Sequence, residues 1–159
     1  MDINRVGIFG SFGGTGAVRG LLHHPDFYKV GFAGQIFDYR VIAANFGDMY
    51  EGPTDNPKKK HLKDLVGNLK GKLLIAVGLL DYMPPAASLR IVEALQRANK
   101  SFDLIVEPCG GYWVTPYQIR RAWDFLVRHL QDIEPPENFS LETMSRPVIP
   151  KDFEKSFKK

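Results

Sequence analysis

The stretch that decides the fold is VGIFGSFGGTGAVRGLL, residues 6–22. It begins with an apolar run, continues through a bend rich in glycine, and ends in a segment with helical spacing of apolar residues. Two different kinds of site use this strand–turn–helix plan. One is the nucleophile elbow of a serine hydrolase, with Ser11 at its apex. The other is a dinucleotide-binding loop, with Gly10, Gly13 and Gly16 around a pyrophosphate.

Length and composition limit the classes of protein to which this chain can belong. The 159 residues suffice for one domain with a real core, and 44% hydrophobic with 25% charged residues is ordinary for a globular protein. Without an apolar run of about 18 residues, no membrane span is expected. The first residues show no signal-peptide pattern, so a cytoplasmic location is the default expectation. The single cysteine, Cys109, excludes an internal disulfide and a Cys-rich zinc site.

The charge pattern argues against a nucleic-acid partner. The net charge of +3 is mild, and its densest cluster, residues 58–61, has the sequence KKKH beside Asn56-Pro57. This cluster is typical of a solvated loop or a first helical turn, because neither interleaved aromatic residues nor a wider basic face accompany it. We therefore expect no nucleic acid, no membrane, no metal and no cofactor.

Apolar runs and helical stripes alternate along the chain. Strand, helix, strand, helix at this spacing predicts βαβ units and an α/β fold with a parallel sheet of about four strands flanked by helices. The predicted strands are Arg5–Phe9, Lys29–Ala33, Lys72–Val77 and Phe102–Glu107. The predicted helices are Thr15–His24, His61–Leu69, Pro85–Ala98 and a last one that ends near Gln131.

Ligands of parallel sheets bind at the carboxyl ends of the strands. Any active site is therefore expected in the four segments that follow those ends. They are Gly10–Gly16, Gly34–Tyr39, Gly78–Pro85 and Pro108–Thr115.

The last helix carries the clearest local signals. Thr115 is the predicted N-cap, Pro116 the first helical residue and Gln118 the reciprocal partner of a capping box. The proline-rich sequences EPPENF and RPVIPKDFEKSFKK follow this helix and predict an extended tail. We place the domain at residues 1–139 and the tail at residues 140–159.

The glycine loop by itself leaves its function open. The G-x-x-G-x-x-G spacing resembles the GATGGTG loop of NAD(P)-binding epimerase-like reductases, where glycines let backbone N–H groups approach the phosphates. A charged residue that binds the ribose is expected at the end of the next strand, which here ends Ala33-Gly34-Gln35. Asp38 or Arg40 would have to serve instead, so the support for this interpretation is weak. In the hydrolase interpretation, Phe9 stands two residues before Ser11, where an elbow requires glycine. The loop is thus a residue short for G-x-S-x-G.

A longer resemblance favours the hydrolase interpretation. From Asp2 to Phe139 the chain resembles the C-terminal half of the prolyl oligopeptidase-type catalytic domain, especially that of dipeptidyl peptidase IV-like bacterial enzymes. This resemblance implies a partial α/β-hydrolase fold with three αβα layers, and a peptide or small ester as substrate if the chain is active. The matching stretches are DINRVGIFGSFGG, HHPDFYKVGFAG, NLKGKLLIAVG, LRIVEALQRANKSFDLIVEP and PYQIRRAWDFLVRHLQDIEPPENF.

The resemblance assigns the catalytic triad positions, and one is not filled. Ser11 matches the nucleophile and Asp81 the acid, although the loop around Asp81 is also about a residue short. The histidine is expected in a segment like P-N-R-x-H-G, which here reads PCGGYWV at residues 108–114 and contains no histidine. A serine hydroxyl is a weak nucleophile without a base to accept its proton.

No other residue is an obvious substitute for that base. We expect the four histidines to be surface or helix-end residues, Cys109 to be a bystander and Glu107 to be solvated. The histidines are His23, His24, His61 and His129.

The resemblance implies two further differences from the family. Of its oxyanion-hole donors, the backbone N–H of Phe12 is the one candidate that remains in this chain. The Arg5–Phe9 strand, flanked by an earlier strand in the family, would be an open apolar edge here, so that either the chain self-associates through it or the tail after Gln131 covers part of it.

We therefore predict a hydrolase-fold module whose catalysis is impaired. The alternatives are a residual serine hydrolase that uses Ser11 and Asp81 with an unidentified base, and a dinucleotide- or phosphate-binding module at Gly10–Gly16. The aromatic residues Tyr112, Trp113 and Tyr117 are expected to fill space left by the altered histidine loop. The family resemblance also places Tyr39 and Arg40 at the border of the substrate site.

Overall fold

Four parallel strands form one sheet in the computed structural model, which describes residues 2–11, 13–37, 61–137, 139 and 141. The strands lie in the order β1-β2-β3-β4, so each is hydrogen-bonded to its neighbours in the sequence. The described strands are β1 (Val6–Gly10), β2 (Tyr28–Gly34), β3 (Lys72–Gly78) and β4 (Asp103–Glu107). The described helices are α1 (Gly14–His23), α2 (Leu62–Leu65), α3 (Ala86–Arg97) and α4 (Pro116–Gln131).

The predicted strands are confirmed to within one residue at each end. One predicted helix, His61–Leu69, is wrong in extent, because α2 has four residues and continues as a 3₁₀ turn at Val66–Asn68. Gly67 and Asn68 are weak helix formers, so the chain tightens there and turns into β3.

The apolar composition of a strand follows from its position in the sheet. The sequence KLLIAVG of β3 is buried from Leu73 to Gly78, since helices cover the sheet on both faces. The outer strand β4 is different, with Leu104 and Val106 about two-fifths exposed. Burial thus follows the position of a strand in the sheet, and the continuous apolar run marks an interior one.

Helices cover the sheet on both faces. The larger core lies between one face and α1, α2 and α3, and includes Leu21, Leu62, Ile75 and Leu95, each at most 1% exposed. On the other face α4 covers β1, β2 and β3, and the smaller core there joins Val30, Phe32, Leu74, Ala76, Ala122 and Phe125. The arrangement has three layers, as predicted.

The predicted start of the last helix is confirmed. The Thr115 hydroxyl accepts a hydrogen bond from the Gln118 backbone at 3.2 Å, and the Gln118 side chain accepts one from the Thr115 backbone at 3.4 Å. Both bonds satisfy N–H groups that the first helical turn leaves without partners. They fix α4 where the chain leaves the β4 loop.

After α4 the chain turns back along the helix. Asp132 is left-handed at φ 57°, and Glu134 accepts three hydrogen bonds from Arg128 between 2.9 and 3.2 Å. The same bonds lower the pKa of the Glu134 carboxyl. Arg120 donates to the carbonyl of Pro136. The predicted tail, residues 140–159, lies outside the described residues except for Leu141, so its boundary stays a prediction.

None of the helices in the described ranges combines the length and apolarity that a membrane crossing requires.

The start of α1 passes very close to the end of β2. A methyl group built on Gly14 would lie 2.3 Å from the carbonyl oxygen of Gly34 and 2.8 Å from that of Gln35. Backbone atoms cannot yield as a flexible side chain can, so a side chain at position 14 would push the helix off the strand. Gly16, two residues later in the same helix, has open space around it.

We predict opposite effects for alanine at these two positions. Gly14→Ala should lower the free energy of unfolding by about 2 kcal/mol or more, because overpacking displaces backbone. Gly16→Ala should raise it by up to about 1 kcal/mol, since alanine is the better helix former. Urea unfolding followed by circular dichroism measures both, and equal effects would contradict the close approach at Gly14.

Candidate active site at the carboxyl ends of the strands

Four loops meet along one edge of the sheet, where the parallel strands end. Ser11 directly follows β1, Gln35 follows β2, and Asp81 lies three residues beyond β3. The segment Pro108–Thr115 follows β4 and ends at the N-cap of α4. The structure therefore brings the predicted loops together. Phe12, the predicted oxyanion donor, lies outside the described residues.

Ser11 is anchored through its backbone beside the end of β2. A methyl group built on Gly34 would lie 3.1 Å from the Ser11 carbonyl oxygen and 3.1 Å from a methyl carbon of Val114. Ser11 itself is partly buried. Its position is consequently fixed by strand ends that the two cores hold in place.

Asp81 lies at the same edge but is not joined to Ser11. The strands that carry these residues are separated by β2, and two strand spacings amount to about 10 Å. Asp81 Oδ1 accepts a hydrogen bond from the Met83 backbone at 2.9 Å. Among the described residues, no hydrogen bond links the Ser11 side chain to Asp81 or to an imidazole.

None of the four histidines belongs to the described loop segments that form this edge. His23 and His24 end α1, which runs back towards the amino ends of the strands. His129 lies in the last turn of α4 and packs edge-on against Phe125 at 4.5 Å between ring centroids. His61 precedes α2 and lines a groove on the helical layer together with residues of α3. Their helix-end and surface positions agree with the sequence prediction.

The loop after β4 is tied to the loop after β3 by backbone hydrogen bonds. Leu79 donates to the carbonyl of Glu107 at 3.1 Å, and Leu80 donates to that of Gly110 at 2.9 Å. A methyl group on Gly78 would lie 2.5 Å from the Gly110 carbonyl oxygen, so this contact also needs glycine. The segment that should carry the triad histidine is thus held in place at this edge by backbone contacts.

The Glu107 carboxylate differs from the expected solvated group. It is partly buried, and its Oε1 accepts a hydrogen bond from the Thr115 hydroxyl at 2.5 Å. The same hydroxyl caps α4, so Glu107 braces the helix start. Cys109, two residues later, is exposed and has a free thiol.

Sequence reasoning missed the structural role of Gln35. This residue is 5% exposed, is left-handed at φ 55°, and donates from Nε2 to the carbonyls of Gly111 (3.1 Å) and Tyr112. Its buried Oε1 has no partner among the described residues. A polar residue directly after a buried strand was the available signal, but its partners lie more than seventy residues away in the sequence. Gln35 clamps the β4 loop to the end of β2.

Two hydroxyls hold the residues that follow Gln35. The Thr15 hydroxyl exchanges hydrogen bonds with the backbone of Phe37, and the Ser88 hydroxyl does so with the backbone of Ile36. All four residues are buried. The chain after β2 is therefore fixed to both α1 and α3.

Gln35 and Asp81 share a narrow crevice. Phe37, Met83 and Ser88 also line it, and its volume is about 10 Å³. That is room for about one water molecule, which could satisfy the orphaned Gln35 oxygen. The crevice is too small to hold a substrate.

The aromatic residues stand on the surface of this edge. Tyr112 lies between Tyr82 and Trp113, and its ring centroid is 4.9 Å from that of Tyr82 and 5.6 Å from that of Trp113. Trp113 is 61% exposed and Tyr117 55%. The prediction that they fill vacated space is wrong for these two residues, because the β4 loop is held by backbone bonds and needs no such filler. Tyr39 and Arg40, the other expected border residues, lie outside the described residues.

The glycines of the first loop divide into two groups. Gly10 is buried, and a methyl group there would lie 2.4 Å from the carbonyl oxygen of Gly13, so its role is the tight turn. Gly13 and Gly16 are exposed with open space around them, at the N-terminal end of the ten-residue helix α1. Within the described ranges, no three His, Cys, Asp or Glu residues come together as a metal site.

The chain matches one family of peptidases. A family model described as the prolyl oligopeptidase family matches residues 1–132. A protein described as a dipeptidyl aminopeptidase IV from Bacteroides ovatus ATCC 8483 is 29% identical, with a TM-score of 0.69. Porphyromonas gingivalis dipeptidyl peptidase 4 is 26% identical, with a TM-score of 0.71. Each match covers 82% of this chain and 20% of the other, so the chain spans about a fifth of these relatives.

A more distant structure shares the fold. The acylaminoacyl peptidase of Pyrococcus horikoshii is 22% identical with a TM-score of 0.67, and the match covers 89% of this chain and 26% of that one. The predicted partial α/β-hydrolase fold is confirmed by these structures together with the sheet described above.

We predict that Gln35 stabilises the whole edge. Gln35→Leu should lower the free energy of unfolding by about 1–3 kcal/mol, because the two partly buried carbonyls of Gly111 and Tyr112 lose their donor. Gln131→Leu, at the exposed end of α4, should change it by less than about 0.5 kcal/mol. Thermal unfolding of both variants is the measurement, and a Gln35→Leu protein as stable as Gln131→Leu would contradict the clamp.

Proposed function

We propose that this chain, which belongs to the prolyl oligopeptidase family, is a hydrolase-fold module of this serine peptidase family with strongly impaired catalysis. The observation that carries the proposal is the missing base. Residues 108–114 contain no histidine, and all four histidines of the chain lie at helix ends or on the helical layer.

The missing base matters because of where the proton must go. The hydroxyl of Ser11 has to lose its proton as it attacks a carbonyl carbon, and the leaving group must later receive one. Removing the base from a serine hydrolase costs on the order of a millionfold in kcat. Asp81 is not placed to serve instead, since its Oδ1 accepts from the Met83 backbone and no hydrogen bond joins it to Ser11 among the described residues.

The positions of Ser11 and Asp81 support descent from a working site. Ser11 follows the carboxyl end of β1 and Asp81 that of β3, the strand ends at which the resemblance expects the nucleophile and the acid, while residues 108–114 carry no histidine. This combination favours impaired catalysis on a retained scaffold over an unrelated binding loop.

If residual reactivity exists, its substrate would be a peptide or a small ester. The exposed rings of Tyr82 and Trp113, with the half-buried Tyr112 between them, stand at the same edge as Ser11 and offer an apolar surface to an acyl group. A residual serine hydrolase of this kind is the main alternative and would react covalently at Ser11.

Binding of a phosphate group at the glycine loop is the other alternative. The open space over Gly13 and Gly16 at the start of α1 is the observation that favours it. Protection against thermal unfolding by NAD or ATP would support this alternative, and we expect no shift in the melting temperature with either nucleotide.

A fluorophosphonate probe tests the proposal directly. We expect folded wild-type protein to show no more labelling by peptide mass spectrometry than the Ser11→Ala variant. Hydrolysis of p-nitrophenyl acetate should likewise be the same for both proteins. Asp81→Asn should leave either readout unchanged, because Asp81 has no imidazole to orient.

Labelling that is confined to Ser11 and absent from Ser11→Ala would contradict impaired catalysis. A loss of that labelling in Asp81→Asn would go further and identify the residual hydrolase.

A further inference from the structure

A groove runs along the helical layer between the start of α2 and the exposed side of α3. His61 and Lys63 line it on one side, and residues between Ala87 and Arg97 line it on the other. Its volume is about 390 Å³, within the range of protein binding sites. None of the lining residues belongs to the four loops of the candidate active site. The groove is therefore independent of the chemistry proposed for Ser11.

The floor of the groove is apolar. Ala87, Ile91 and Ala94 recur at helical spacing, so they form one row along α3. Ala87 and Ile91 are buried, and Ala94 is half-buried. Helix α2 has only four residues, which is about one turn, so it covers only part of this row. The two alanines on either side of Ile91 have short side chains, which gives the groove its depth.

The rim of the groove is basic. Lys63, Arg90 and Arg97 are exposed, and Glu93 is the one carboxylate among the lining residues. Glu93 Oε1 lies 2.8 Å from Arg97 Nη2, so these two charges neutralise each other. Lys63 and Arg90 form no ion pair within the part of the chain that the structure describes. The rim therefore keeps two positive charges that no carboxylate of the groove matches.

We propose that this groove binds an acidic amphipathic helix of another protein. The apolar residues of that helix lie on Ala87, Ile91 and Ala94, and its carboxylates pair with Lys63 and Arg90. The stretch from Ala87 to Arg97 spans about 15 Å along α3, so a partner helix of about three turns matches the groove in length. Grooves of this kind recognise a helix through apolar anchors at positions i, i+3 or i+4, and i+7.

The walls of the groove favour a helix over an extended strand. A strand binds by pairing its backbone with the free donors and acceptors of a sheet edge. The longer wall is α3, whose backbone groups are hydrogen-bonded to one another within the helix. Recognition must consequently come from side chains, and two helices pack by fitting rows of side chains into each other.

The charges of this chain's own helices argue against a second copy as the occupant. Within the described ranges, α1, α3 and α4 each carry a net positive formal charge, and α2 is neutral. The C-terminal sequence RPVIPKDFEKSFKK is also net positive. Like charges brought together at an interface are destabilising, so the groove is not complementary to these segments. The occupant is therefore a different protein.

A labelled peptide tests the proposal. The probe is a helical peptide of about fourteen residues with leucines along one face and glutamates on both flanks, and fluorescence anisotropy measures its binding. We expect a dissociation constant on the order of 10–100 µM, because exposed ion pairs contribute little and the apolar floor is short. Binding should weaken as NaCl is raised from about 50 to 500 mM. A peptide with lysines in place of the glutamates should not bind.

Charge reversal at the rim locates the binding site. Arg90→Glu should weaken binding of the acidic peptide by about fivefold or more, because it replaces an attraction with a repulsion. Arg121→Glu is the matched control, since it makes the same change in net charge at an exposed helical position. Arg121 lies in α4, on the other face of the sheet, so this variant should bind as the wild type does.

A second variant tests the floor without any change in charge. Ala94→Leu fills the groove and should also weaken binding by about fivefold or more, and thermal unfolding verifies that the variant is folded. In nitrogen-15 HSQC spectra, peptide binding should shift amide signals of α2 and α3 and leave those of α4 in place.

Three results would overturn the proposal. The first is the absence of binding by the wild type, which would also follow if the chain's own acidic stretch DMYEGPTD, residues 48–55, filled the groove. The second is an equal effect of Arg90→Glu and Arg121→Glu. The third is unchanged binding by folded Ala94→Leu protein.

Discussion

The close approach of backbone to backbone at the carboxyl ends of the strands is the constraint on which the rest of the structure depends. Helix α1 passes over the end of β2 with only the hydrogen of Gly14 between the two backbones, and the β4 loop passes Gly78 in the same way. These contacts let four loops meet along one edge. The positions of Ser11, Gln35 and Asp81 all follow from them.

The contacts that hold the fold together do not involve the catalytic residues. Both cores, the capping box of α4 and the Gln35 clamp form without any catalytic group, so an altered histidine loop can sit on an intact sheet. The β4 loop is held by backbone hydrogen bonds from Leu79 and Leu80, which involve no side chain of residues 111–114. Family membership over residues 1–132 and impaired catalysis are therefore compatible.

Local patterns predicted most of the architecture because local forces determine it. The apolar run of β3 and the Thr115–Gln118 capping box act through burial and short-range hydrogen bonds, and both lie where the sequence places them. The short α2 was predicted too long, because Gly67 weakens the helix in a way that a hydrophobic stripe does not reveal.

The candidate site was less predictable because its contacts are long-range. Gln35 donates hydrogen bonds to Gly111 and Tyr112 across the sheet. Its left-handed backbone could not be predicted from the sequence, because glycine is the residue that normally indicates this conformation. The exposure of Trp113 depends on the same tertiary contacts. Ser11 and Asp81 were found through the family resemblance, whereas the glycine loop alone left two functions open.

The central claim is that no imidazole of this chain is coupled to Ser11. Nitrogen-15 NMR of the histidine side chains measures this directly, because tautomer and protonation state respond to a hydrogen bond at either ring nitrogen. We expect the signals of all four histidines to superimpose in wild-type protein and in Ser11→Ala. A change confined to one imidazole would identify a base for Ser11 and would contradict the absence of such a base.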